Sequence, residues 1–379
     1  ASSRLRADTG MCGGASITLP FTDVAAGNVF FCSIAEAFFS GLSNGTSATT
    51  YSPAANVPRE QMAAFVTRTM DQSLKRGSRR AALKQFWTPT SADDLGLTTV
   101  GSGPRSVESD GADLWVADIN DATVSRVRAS DGKLLETWTG ATNAYGVLAA
   151  NGLIFVTGDT SPGNLYQIDP TQAAGAVTTL TSALGDLSFG ISFDGARIWT
   201  ANVGGSVSIV TLNPVSVTTV TAGFTRPLQI LYDGANIWVT DDGNGPSPGK
   251  LFKLDSNGAI IQTVIVGINP GLPVFDGTNI WVPNGNGGNT ITVVRASTGA
   301  VLATLTGNGL NLPDIAAFDG ERILVTSVNG HSVSLWNAAD LSPLGSVSTG
   351  AITGPYGACS DGLNFWITFQ SPGGKLARF

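Results

Sequence analysis

One histidine, three cysteines and a set of recurring aspartates and asparagines are the residues of this chain that could do chemistry. His331, in SVNGHSVSL, could act as a base. No second histidine exists to share a metal or to form a pair with it, and a lone loop histidine is more often a local hydrogen-bonding group. No Gly-x-Ser-x-Gly elbow occurs, and no Cys-x-x-Cys that would suggest zinc or thiol–disulfide chemistry. Cys12 and Cys32 are close enough in sequence to predict a disulfide, as in an oxidising compartment. Cys359 falls in the strand-like YGACSDG and reads as a small buried hydrophobe.

Oxygen ligands are more plentiful. DINDAT, DDGNGPSPG and NGNGGNT are rich in Asp, Asn and Gly, and Asn202 ends a similar strand. Asp118, Asn202, Asp241, Asp242 and Asn284 are therefore the candidate ligand-binding residues, for a sugar or a hard cation such as calcium. The competing reading is turn chemistry, because the same residues dominate turns. No loop has the spaced EF-hand pattern. No cofactor is expected otherwise. Asp241 and Asp242 are adjacent, so their side chains diverge and make a poor glycosidase pair. The Gly-rich loops precede strands rather than helices, which removes the usual phosphate cradle.

The elements that must carry these residues follow a repeat. Asp-Gly recurs at 110, 194, 233, 276, 319 and 361, with Asn-Gly at 151 in the missing place, at intervals of 39–43 residues. Each period holds about four short strand patterns, the signature of propeller blades. Trp115, Trp199, Trp238, Trp281 and Trp366 align, with Phe155 and Leu324 in the other two periods. One large side chain per period at one position reads as packing between neighbouring sheets. The seventh period ends at Phe379 without a fourth strand, while LGLTTVGSGP upstream matches the other fourth strands. Residues 97–101 are therefore expected to close a ring that spans 96–379 and to remove its open edges.

The wording of these repeats resembles the virginiamycin B lyase-like and YVTN/NHL-type seven-bladed propellers. That resemblance implies the fold. Lyases of that family use histidines and a metal-binding carboxylate, and the single histidine here departs from their pattern.

The N-terminal segment reads differently. Phe30, Ile34 and Phe38 mark one helical face, and Pro58 opens a second helix with Met62, Phe65, Val66 and Met70 on one side. FTDV at 21–24, GLSNG at 41–45 and TYSPAANVPREQMAAFVTR at 50–68 resemble an S-layer homology (SLH) module. The resemblance implies a small helical domain over 21–71 and assigns Arg59 to wall-polymer binding. Residues 1–20 are read as an arm and 72–95 as a basic linker, in which RRAALKQFW forms a short amphipathic helix. Asn44 is the one Asn-x-Ser/Thr sequon.

Residues 1–84 carry nine basic and five acidic residues, a net of +4, and the rest 12 and 23, a net of −11. Charge of opposite sign at the two ends favours head-to-tail contact between copies. An acidic propeller repels phosphates, so no nucleic acid is expected. No apolar run has the length of a membrane span. ASSRLRADTG has no apolar stretch, so any signal peptide is expected to have been removed already. The expected role is a non-enzymatic extracellular or cell-surface protein that associates with itself into a filament or layer. Its other possible partner is cell-wall or extracellular polysaccharide. The alternatives are an adhesin that binds carbohydrate on the loop face, and a lyase-like enzyme.

Overall fold

The computed structural model describes residues 9–12, 15–39, 43–59, 61–67, 96–243, 245–350, 353–371 and 373–379. The chain divides into two units, Ala1–Trp87 and Thr88–Phe379. The basic linker expected over 72–95, with its short helix, lies outside the described residues.

In the N-terminal unit, Thr9–Cys12 pairs antiparallel with Ala15–Thr18. Cys12 is disulfide-bonded to Cys32, at the start of helix Phe31–Phe39. Leu19 joins the unit's core with Phe21, Val24, Phe31, Ile34 and Ala35. Of the expected helical face, Ile34 is buried and Phe38 packs on the core, and only Phe30 differs. Phe30 is the cap residue, its carbonyl accepting the Ile34 N–H at 2.8 Å, and its side chain is exposed. Phe31 takes the buried place one position later. Asp23 of the FTDV stretch accepts the Tyr51 and Ser52 N–H groups at 2.8 and 2.7 Å, which ties the following loop to the core. Gly45 has φ +77°, and a Cβ there would lie 2.5 Å from the Phe21 ring, so both backbone and space demand glycine. Residues 61–67 are helical. Met62 and Val66, expected on a buried side, are exposed, and Phe65 is half-buried. Met70 lies outside the described residues.

The second unit is seven four-stranded antiparallel sheets. They span 104–139, 144–184, 188–220, 227–265, 274–305, 313–348 and 353–378 as blades 1 to 7. The outermost strand of blade 7 is Gly96–Thr99, paired from Gly96↔Arg378 to Thr99↔Lys375. It begins one residue earlier than the sequence pattern suggested and closes the ring between the two ends of the unit.

The Asp-Gly repeat has a physical cause. In blade 4, one Asp233 oxygen accepts the turn N–H groups of Ala235 and Asn236 at 2.8 and 2.6 Å. The other accepts the Trp238 indole N–H at 2.7 Å. Asp110–Trp115, Asp194–Trp199, Asp276–Trp281 and Asp361–Trp366 repeat that bond at 2.7–2.8 Å. All five indole side chains are fully buried. One carboxylate therefore shapes the turn and satisfies the buried donor of the core residue next to it. Burial raises the Asp110 and Asp194 carboxyls, but hydrogen bonds from the turn and the indole outweigh it, helped by the charge of Arg126 at Asp110 and a hydrogen bond from Arg197 at Asp194, and hold both below the ordinary range. Where Phe155 replaces tryptophan, Asn151-Gly152 forms a shorter turn with φ +53° and +74°. Where Leu324 does, Asp319 accepts from Arg322 at 2.8 Å instead.

Candidate functional site

Each blade contributes one residue near the propeller axis, and the strand register identifies it. In each blade a residue at or near the end of the second strand pairs with the residue just before the axial one: Pro104↔Asp118, Ala144↔Gly158, Ser188↔Asn202, Pro227↔Asp241, Pro270↔Asn284, Pro313↔Ser327 and Pro355↔Phe369. The next residue along is Arg105, Tyr145, Phe189, Leu228, Gly271, Asp314 or Tyr356. The preceding residue forms the rim. Gly103, Asn143, Leu187, Asn269, Leu312 and Gly354 all have positive φ there, between 51° and 68°. Leu187 and Leu312 pay a steric penalty for that conformation, which the surrounding hydrogen bonds must enforce. The rim carbonyls of Gly103, Asn143, Leu187, Asn269 and Leu312 each accept an N–H from the loop after the second strand.

Threonines lock the axial residues. Thr157, Thr240, Thr326 and Thr368 each stand one residue before Gly158, Asp241, Ser327 and Phe369 of those pairs. Their hydroxyls donate to the carbonyls of Phe189, Gly271, Tyr356 and Arg105 in the next blade, at 2.9–3.3 Å. They accept in turn from N–H groups of their own innermost strands, Gly146, Gln229, Ile315 and Gly357. At Gly271 a Cβ would sit 1.8 Å from the Asp314 carbonyl oxygen, so the chain passes Asp314 with no room for a side chain.

The result is a cavity of about 220 Å³, walled by Tyr145, Phe189, Gln229, Asn269, Asp314 and Tyr356, among others. The Tyr145 and Tyr356 hydroxyls are hydrogen-bonded to each other at 2.7 Å. Tyr145 stacks on Phe189 at 4.0 Å and 12°. The Arg105 guanidinium lies 4.8 Å from the Tyr356 ring centre and 5.6 Å from that of Tyr145. Its buried Nε has no hydrogen-bond partner. Burial pushes the Asp314 carboxyl up to about 6, against the opposing charge of Arg105 and a hydrogen bond from Tyr356. Burial, with the charge of Asp314, pushes Tyr145 up to about 12 and Tyr356 well above its ordinary value, so both phenols keep their protons.

The residues singled out from sequence lie elsewhere. Asp118, Asn202, Asp241 and Asn284 are buried at strand ends, turned into their own blades. Asp118 accepts from Ser125 at 2.7 Å, and burial pushes its carboxyl up to about 7. Asn202 joins Ser188, Thr200, Ser206 and Ser208 at 2.7–3.1 Å. Asp241 accepts the Thr225 and Arg226 N–H groups at 2.8 and 3.1 Å. Asn284 donates to Thr290 and Thr292 at 3.1 and 3.0 Å. Asp242 is ion-paired with Arg226. None of the five walls the cavity. Asp118 Oδ1 and Asn284 Oδ1 are buried without a hydrogen-bond partner. Among the described residues no three His, Cys, Asp or Glu side chains converge as a metal site would need.

His331 is exposed and accepts the Gly354 N–H at 3.3 Å. Arg59 and Asn44 are exposed on the N-terminal unit. Asn44 borders a second cavity of about 640 Å³, between the 43–57 loop and the helical residues 61–67. The axial residues went unnoticed in the sequence, although a signal exists. Pro104, Pro227, Pro270, Pro313 and Pro355 recur one residue before them.

No protein-family model and no curated protein sequence matches this chain. Solved structures do. A Kuenenia stuttgartiensis hydrazine synthase chain superposes with a TM-score of 0.63 at 17% identity, covering 74% of this chain and 98% of that one. Virginiamycin B lyase from Staphylococcus aureus superposes with 0.61 at 15% identity, covering 75% and 98%. A streptogramin B lyase gives the same score and identity, covering 75% and 96%. This chain carries a seven-bladed β-propeller. At such identities the likeness is one of fold, and propellers of one fold serve unrelated chemistries.

Proposed function

We propose that this chain is a secreted, non-enzymatic surface protein that associates with copies of itself, the N-terminal unit of one copy docking on the propeller of the next. One observation carries the reading: the small N-terminal unit leaves large apolar side chains in solvent. Val29 is 88% exposed, Met11 67% and Phe30 65%, and Val57, Met62 and Val66 are exposed too. The Cys12–Cys32 disulfide brings the segment of Met11 beside that of Val29 and Phe30. Clustered exposed apolar groups of this kind favour a protein partner. Charge indicates which partner, since +4 over residues 1–84 meets −11 over the remainder of a second copy. The disulfide fits a secreted protein, and among the described residues no helix is long and apolar enough to cross a membrane. His331 and the buried Cys359 are both absent from the cavity wall, which supports a role without nucleophilic or acid–base catalysis by either.

Sedimentation velocity over a concentration series, at low and high salt, tests the reading. Larger species that grow with concentration and weaken in high salt are expected, and Val29→Asp with Phe30→Asp should abolish them. A wild-type chain that stays monomeric at every concentration in low salt would overturn it.

A further inference from the structure

We propose that the axial cavity of the propeller is a binding site for one neutral, hydroxyl-rich ring, a single sugar unit, held by Asp314, Gln229, Asn269 and the Tyr145–Tyr356 pair against Phe189. This goes beyond self-association and does not depend on it.

Size sets the first limit. About 220 Å³ is the volume of about seven liquid waters, which suits a molecule of about a dozen heavy atoms. Charge sets the second. Arg226 borders the cavity, but its guanidinium is already ion-paired with Asp242. Asp314 would repel an anion. The Arg105 guanidinium already stands against the Tyr356 and Tyr145 rings, so a cation at the phenols meets a like charge. A neutral ligand is left.

Hydrogen bonding sets the third limit. The Gln229 and Asn269 side chains border the cavity and make no hydrogen bond among the described residues, and each amide offers both donors and an acceptor. Asp314 adds carboxyl oxygens that receive hydroxyl protons. Such a mixture matches hydroxyl groups, which both give and accept. Apolar walls complete the site. Phe189 and Tyr145 are stacked as one platform, and Leu228, Leu312, Pro270 and Pro313 stand around it. The C–H face of a sugar ring packs on such a surface while its hydroxyls reach the polar groups. The site is also preformed. The threonine ties fix the carbonyls of Phe189, Gly271 and Tyr356, and Leu312 is held at φ +55° on the rim.

The test is saturation-transfer NMR on the full chain with D-glucose, D-galactose, D-mannose, L-fucose and N-acetylglucosamine, beside acetate and tetramethylammonium as charged probes. At least one sugar should receive saturation and be displaced by none of the charged probes. Asp314→Asn and Gln229→Ala should each weaken that sugar by about tenfold, the loss of one good hydrogen-bonding group. Gln229→Ala touches neither the phenol pair nor Arg105, and an unchanged near-ultraviolet circular dichroism spectrum certifies its fold. No transfer to any of the five sugars overturns the proposal. So does transfer that both variants leave unchanged, which would place the binding elsewhere, or tighter binding of either charged probe in the cavity.

Discussion

Replacing Asp233 with asparagine preserves the shape of the side chain and reverses half of its hydrogen bonding. The amide oxygen can still accept the turn N–H groups of Ala235 and Asn236. The group facing the Trp238 indole, now an oxygen at 2.7 Å, becomes an NH₂. A donor then meets a donor, and Trp238 is fully buried, so water has no access. Orphaning a buried donor costs about 1–3 kcal/mol, and the upper part of that range is expected because the lost bond is charge-assisted. Trp238→Phe removes the donor itself, with a packing loss and the loss of Lys253 from its place 5.0 Å over the ring. The double variant has no indole left to orphan. The two single losses should therefore exceed the loss in the double variant by about 1–2 kcal/mol, as expected for residues in direct contact. Urea unfolding followed by far-ultraviolet circular dichroism measures all four proteins. Additivity within about 0.5 kcal/mol would refute the reasoning, since it would mean that the carboxylate serves the turn alone.

Two further outcomes follow from the same structure. Asp118 has a folded pKa raised to about 7, so the folded state holds its proton more tightly than the unfolded chain does. Its contribution to stability is then full below the ordinary carboxylate pKa and is lost as pH rises toward about 7, on the order of 2–4 kcal/mol. Asp118→Asn should flatten the fall of the urea midpoint between pH 4 and 7, and an unchanged slope would count against the assignment. A chain beginning at residue 102 lacks strand Gly96–Thr99 and should lose about 2–4 kcal/mol relative to one beginning at residue 95, from a few backbone hydrogen bonds at about 1 kcal/mol each. Equal melting of the two would show that the ring does not need that strand.

Much of the propeller could be read from the chain because its repeat is local. An Asp-Gly turn, an indole five residues on and a strand between them are short-range chemistry, written again in five of the seven blades. The strand over 96–99 was legible for a related reason, since its apolar and threonine pattern copies that of the other outermost strands. The disulfide partners could be chosen because only Cys12 and Cys32 are near in sequence. The helix of the N-terminal unit was legible as an element but not at its start. Ile34 and Phe38 face the core as their spacing suggested, but Phe30, whose carbonyl accepts the Ile34 N–H at the helix start, is left in solvent and Phe31 is buried instead.

The axial site belongs to tertiary structure. Arg105, Tyr145, Phe189, Asp314 and Tyr356 lie up to about 250 residues apart, and only ring closure sets the first blade beside the last. Oxygen ligands are densest among the Asp and Asn residues of the loops. Most of those oxygens accept from backbone N–H groups and neighbouring hydroxyls, and the two left without a partner, Asp118 Oδ1 and Asn284 Oδ1, are buried. Which polar groups remain open to a ligand depends on what the fold has already satisfied, and that is a property of packing around the axis that no single stretch of the chain contains.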